Sequence, residues 1–255
     1  MPTVSRFSIA PVKALGLQHP EELAIERYGA RGDRAFYLID REGRLFTGSK
    51  HGPLVRIRVD HDESAHRLTL TFPDGSEVDG FTEAMGEPVM TDFWGRRVSG
   101  SLVPGPWGEA ISVYIGKEVL LARPGRPGDA QDEWPVSLLS RASADELAEQ
   151  ASDGAPRDSR RFRMLIELDG CEPHEEDTWD GRRLRVGGAL LKVMGPIPRC
   201  VVTTQDPDTG IKDFDTLRAI ANHRGRGASG TLDFGVYGTV LEPGSARVGD
   251  AASLD

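Results

Sequence analysis

A chain of 255 residues, 38 % hydrophobic and 28 % charged, can bury a real core as one large β domain or two modest ones. Its formal charge of −9 argues against non-specific nucleic-acid binding, and no run approaches the roughly 18 apolar residues of a membrane span. Its two cysteines, Cys171 and Cys200, cannot make a disulfide framework, a four-cysteine zinc site or an all-cysteine iron–sulfur cluster. With an N-terminus that lacks an apolar run behind a basic start, they point to free thiols in a reducing cytoplasm, a Cys171–Cys200 bridge being the alternative.

Thirty glycines and seventeen prolines cut the chain into short pieces and predict a mainly β (α+β) architecture. The alternation over 4–9 gives a first strand. Residues 34–40 run into the turn Arg41-Glu42-Gly43 and return through Leu45-Phe46-Thr47 as a hairpin. Strands over 54–59 and 67–72 follow, the second closing on Pro73-Asp74-Gly75, so the first part of the chain suggests a small barrel or sandwich. Pro106 at a first-turn position, then Trp107, Ala110, Ile111 and Tyr114 at helical spacing, with Gly116 as the stop, predict a helix. A second helix is predicted from Ser143, with Glu146 completing a capping box ahead of Leu147, Ala148 and Ala151. A third runs from Asp215 through Leu217 and Ile220 to Asn222. Irregular loops are expected over 123–133 and 152–160, and loops of that length are often functional. Strands return at 164–168, 184–186, 189–194, 201–204 and 235–241.

Cys200 closes Gly195-Pro196-Ile197-Pro198-Arg199-Cys200, where two prolines stiffen the approach to the thiol. A cation such as Arg199 beside it favours a thiolate, the form that a soft metal or a sulfur-transfer reaction requires. The alternative is a buried structural cysteine, the commoner fate of a free cysteine. The histidines form no metal pattern; His174 heads Glu175-Glu176-Asp177, either a ligand set or a charged loop that caps a turn. Arg157, Arg160, Arg161 and Arg163 cluster in an otherwise acidic chain. As a strand, 161–163 would send Arg161 and Arg163 to one face, suited to a phosphate or carboxylate, with surface ion pairing as the alternative. No nucleophile elbow, Walker loop, dinucleotide fingerprint or His-Glu-x-x-His is present.

Five segments stand in order: Ala10-Pro11-Val12-Lys13-Ala14, Gly32-Asp33-Arg34-Ala35-Phe36, Arg161-Phe162-Arg163-Met164, Glu176-Asp177-Thr178-Trp179, and Pro198-Arg199-Cys200 running on to Asp206-Pro207-Asp208-Thr209-Gly210. Together they resemble the MOSC family, named for the C-terminal domain of molybdenum cofactor sulfurase, and within it the branch of the mitochondrial amidoxime reducing component and its bacterial relatives. The matching family motifs are Tyr-Pro-Val-Lys-Ser, Asp-Arg-Trp, Phe-Arg-Pro-Asn, Glu-Asp-Ser-Trp and Arg-Cys…Asp-Pro-Asp-Thr-Gly. Ala14 departs from the serine, Leu165 from an asparagine, and Asp132-Glu133-Trp134-Pro135-Val136 from a serine- and threonine-containing stretch.

The resemblance implies an N-terminal β-barrel-like domain over 1–95 and a MOSC β-barrel domain with a few short helices over 96–255. It implies a molybdenum cofactor (Mo-molybdopterin) with Cys200 as metal ligand and catalytic residue. Lys13, Arg34, Arg163, Arg199 and Tyr237 would meet the pterin and its phosphate. The implied activity is oxygen-atom transfer, such as reduction of N-hydroxylated small molecules, independent of pyridoxal phosphate. Electrons would come from a separate protein, because two cysteines hold no cluster. A persulfide sulfur carrier at Cys200 and a non-catalytic cofactor binding or delivery protein remain alternatives. If Lys13, Arg34, Arg163 and Cys200 meet one cofactor, the two halves pack face to face around it. Lys13 and Arg34 would then be held for an anion, and not for carboxylates such as Asp33. Arg123 and the two long loops are expected at the rim of the substrate pocket.

Overall fold

The computed structural model describes residues 1–151 and 156–255, so part of the loop expected over 152–160 lies outside the described residues. The chain begins with β1 (Thr3–Phe7), β2 (Glu22–Glu26), the two-residue β3 (Gly29–Ala30) and β4 (Tyr37–Ile39). A meander of β5 (Arg58–Asp62), β6 (Arg67–Thr71) and β7 (Glu77–Phe81) follows, then the hairpin of β8 (Pro88–Phe93) and β9 (Arg96–Leu102). Helix α1 (Trp107–Ile115) leads to β10 (Leu120–Pro124). The C-terminal half comprises β11 (Val136–Ser140), α2 (Arg141–Gln150), β12 (Ile166–Asp169), β13 (Arg183–Val186) and the long β14 (Ala189–Pro198). It ends with α3 (Thr216–His223), β15 (Asp233–Glu242), β16 (Gly244–Arg247) and β17 (Ala252–Leu254). The architecture is mainly β with short helices, as expected.

Seven strands form one sheet in the order β1-β12-β11-β15-β14-β13-β17, in which only β11 and β12 run parallel. The sheet curls until its ends meet: Thr3 bridges Ala251, and Val4 N donates to Asp250 O. The first strand of the chain thus closes a barrel built otherwise from the C-terminal half, and β16 reaches back to pair with β2. Burying the inner face of such a sheet gives the main core, which includes Phe7, Leu168, Trp179 and Val193. A second core gathers Leu15, Phe36, Leu70 and Ile111 around Trp107. Trp107 is fully buried, and its indole N–H finds Leu68 O at 2.9 Å, the partner that a buried indole needs.

Two predicted helices form as expected. Helix α1 stops at Gly116, in the left-handed region at φ 67°, and α3 is capped by Asp215, whose carboxylate accepts from Arg218 N at 3.1 Å. Helix α2 corrects the capping box. It starts at Arg141, and Ser143 Oγ donates to buried Glu176 at 2.9 Å instead of capping. Glu176 also accepts from Ser140 N, so the helix takes its N-terminal partner from a distant segment, while Glu146 pairs with His174. The strand expected over 54–59 opens as a 3-10 turn (Gly52–Arg56), because Pro53 fixes φ and has no N–H for a ladder.

Candidate functional site

Cys200 follows the last residues of β14 and is exposed, whereas Cys171 is buried; both thiols are free. Residues 201–204, expected as a strand, form a 3-10 turn with Cys200 at its N-cap. Thr203 Oγ1 bonds Cys200 O at 3.0 Å and Thr204 Oγ1 bonds Val201 O at 2.7 Å. These local bonds to the backbone override the β preference of Val-Val-Thr-Thr. The thiol therefore stands on a tied-down turn and faces outward. Burial pushes the Cys171 thiol up to about 12, so it stays protonated and behaves as a core residue.

Arg199 sends its guanidinium inward, to Phe234 O at 2.7 Å, Phe162 O at 3.2 Å and Met164 Sδ at 2.7 Å. Arg163 donates to Leu15 O at 2.7 Å. Neither is bonded to a carboxylate among the described residues, and burial draws each guanidinium down to about 10, Arg34 adding to the effect at Arg163. Lys13 and Arg34 differ. Lys13 Nζ bonds Ala130 O at 3.0 Å and Asp132 Oδ1 at 2.6 Å, and Arg34 pairs with Asp33, whose other oxygen accepts from Ala10 N at 2.8 Å. The expectation that both cations are held free for an anion is thus corrected: each already has a carboxylate. Burial lowers the Lys13 ammonium below its ordinary value against the pull of Asp132.

Asp132 joins the group. Burial alone would raise its carboxyl, but the charges of Lys13 and Arg34 and the Lys13 bond hold it below its usual value. It is close enough to act on the charge of Lys13, Arg34, Arg163, Arg199 and Tyr237, and half of its side chain (52 %) stays in solvent. Burial, then Asp132, pushes the Tyr237 phenol up to about 12, so it keeps its proton at neutral pH. The structure therefore brings Lys13, Arg34, Arg163, Arg199 and Tyr237 together, with Cys200 within the electrostatic reach of Arg199.

Arg161 does not join them. Residues 159–162 are a 3-10 turn capped by Asp158, and Arg163 takes φ 52°, so the two arginines diverge. Arg161 turns to Asp213 and Thr203 O. Arg123, expected at the rim of the substrate pocket, lies in β10 with its guanidinium over the Phe36 ring. The cluster at His174 is a polar network in which Arg224 donates to His174 Nδ1 and pairs with Asp177, while His174 Nε2 meets Glu146. Two shallow concavities flank α1 and include none of the site residues. Asp132 is the residue that sequence reasoning missed; its signal was a carboxylate in a glycine- and proline-rich loop.

These donors fit an anionic group that brings its own metal. Two guanidiniums that bond no carboxylate among the described residues suit a phosphate, and an exposed thiol suits a soft metal. Among the described residues no group of three His, Cys, Asp or Glu side chains could hold a metal, so one at Cys200 needs its other ligands from a cofactor. A family model for the MOSC domain matches residues 126–253, and one for the MOSC N-terminal beta barrel domain matches residues 1–116. The chain is 36 % identical to mitochondrial amidoxime reducing component 2 of Bos taurus, over 97 % of this chain and 82 % of that one. It is 41 % identical to the protein of the same name from Macaca fascicularis, with the same coverage. The chain belongs to the MOSC-domain family. The crystal structure of the YUAD protein from Bacillus subtilis is similar at a TM-score of 0.47 and 14 % identity, over 100 % of this chain and 96 % of that one. Among the described residues no helix is long and apolar enough to cross a membrane.

Proposed function

We propose that this chain binds a molybdenum pterin cofactor and reduces the N–O bond of small N-hydroxylated compounds, such as the amidoximes in the names of its mammalian relatives. The observation that carries the reading is the pair of half-buried arginines, Arg163 and Arg199, neither bonded to a carboxylate among the described residues, with an exposed thiol beside Arg199. A cation left unneutralised in a partly dry site costs stability, and a bound anion offsets that cost. Arg163 and Arg199 would take the phosphate, with Lys13 and Arg34 adding positive field around the pterin. Cys200 would give the metal its protein sulfur, and Tyr237, still protonated, a hydrogen-bond donor. When bound, the cofactor supplies two-electron oxygen-atom transfer.

In the overall reaction an amidoxime takes up two electrons and two protons and leaves as an amidine and water. The electrons come from a separate protein, because two thiols, one of them buried, hold no cluster. Free thiols suit a reducing compartment such as the cytoplasm. The test is molybdenum and pterin content after expression in a host that makes the cofactor, with about one of each per chain expected. Cys200→Ala should lose the molybdenum and keep the fold, and Cys171→Ala should retain it. Full molybdenum in the Cys200 variant would remove the thiolate from the site, and labile sulfur on Cys200 without molybdenum would favour a persulfide carrier.

A further inference from the structure

The turn between β8 and β9 is two residues long, Trp94-Gly95, with Phe93 paired to Arg96 across it. Both residues have positive φ, 53° and 91°. Such a turn normally takes asparagine, aspartate or glycine first, and a bulky residue there is strained. Trp94 is held against that preference and is 63 % exposed, so neither turn chemistry nor core packing accounts for it. The tip itself is fixed. Asp92 Oδ1 accepts from Gly95 N at 2.6 Å, and Arg96 donates to Asp129 O at 2.8 Å and Gln131 O at 2.6 Å. This clamp sets one face of the indole over the Lys13 ammonium, 5.2 Å from the ring centroid, and Lys13 holds Asp132. Much of the ring remains open at the edge of the cation cluster.

We infer that Trp94 is a stacking platform at the rim of the site, and that it sets a preference for planar, conjugated, uncharged substrates. A ring with a cation on one face is depleted of π density, so its other face favours an electron-rich neutral ring over a second cation. This rests on the function proposed above and narrows its substrate class to aryl amidoximes over saturated ones.

Two variants separate the platform from the fold: Trp94→Asn installs the residue that the turn prefers, and Trp94→Phe keeps a ring. Benzamidoxime titrated into the protein should quench the exposed indole saturably in the wild type, a component that Trp94→Asn lacks. Trp107 and Trp179 are buried, and the half-buried Trp134 is common to both proteins, so the difference between the two titrations reports Trp94. Cyclohexanecarboxamidoxime should quench neither. In the loaded protein, kcat/KM for the aryl over the saturated compound should fall roughly tenfold in Trp94→Asn at unchanged molybdenum content, and recover in Trp94→Phe. Equal quenching in both proteins, or an unchanged ratio at equal molybdenum, overturns the platform. If the loaded wild type reduces neither compound, the proposed reaction fails, and the quenching titration still decides the role of Trp94.

Discussion

Arg34 and Arg163 carry the same charge in different surroundings, and the difference is measurable. The Asp33 side chain is only 2 % exposed, and without Arg34 its one remaining hydrogen bond among the described residues comes from Ala10 N. Arg34→Met should therefore lower the stability of the cofactor-free protein by about 3–5 kcal/mol, the cost of stranding a buried charge. Arg163→Met strands no carboxylate and removes a guanidinium already drawn down to about 10, so stability should hold or rise while cofactor retention falls. Urea unfolding of the two cofactor-free variants checks both; equal losses would refute the distinction. Glu176 adds a pH dependence. Burial raises its carboxyl above the ordinary value, so the folded state favours the protonated form. Its contribution is full below about pH 4.3 and declines as pH rises through the folded value. The stability advantage of wild type over Glu176→Gln should accordingly shrink between pH 4 and pH 7, read from urea midpoints.

At the scale of elements, sequence periodicity was enough where an element is fixed by its own residues. Helix α1 has its proline start, apolar stripe and glycine stop within eleven positions of sequence, from Pro106 to Gly116. It failed where distant partners decide. Ser143 looks like a cap until Glu176 arrives, and Asp132 has no visible role until Lys13, 119 residues earlier, reaches it. Cys200, Arg199, Arg163, Lys13 and Arg34 were legible through their motifs, whereas the pairing of Arg34 and the orientation of Arg161 depend on turns that no period encodes. The segment 206–210 shows what such a motif does structurally. Asp206 Oδ1 accepts from Thr209 N at 2.8 Å and Asp208 N at 3.1 Å, folding the loop so that Gly210, at φ 71°, lies against Gly52. A Cβ on Gly210 would stand 2.0 Å from Gly52 O. Gly210→Ala must part the two segments and strain the left-handed backbone, and a loss of about 2–4 kcal/mol is expected. Cofactor retention should fall with it, since the loop continues from the Cys200 turn; a variant as stable as wild type would show that the contact is slack.

At the scale of the whole molecule, the barrel and the site are shared between the two ends of the sequence. Strand β1 closes the seven-stranded sheet against β12 and meets the chain again at Ala251, and β2 covers the edge of β16. Lys13 and Arg34 enter the cation cluster from the same N-terminal region, while Arg163, Arg199 and Cys200 come from the other half. A fragment spanning 126–255 therefore loses strand partners at β12 and β16 and leaves two open edges, which invite pairing with other chains. It also leaves Arg163 without Leu15 O and Asp132 without the ammonium that holds it. The fragment should elute as aggregate on size exclusion and carry no molybdenum, although it holds the thiol and two arginines. Adding the N-terminal piece in trans during expression should restore a monomer-sized complex and part of the metal. A folded, monomeric 126–255 fragment with full molybdenum would mean that the C-terminal half builds the site alone, and that β1, Lys13 and Arg34 serve only as a cap.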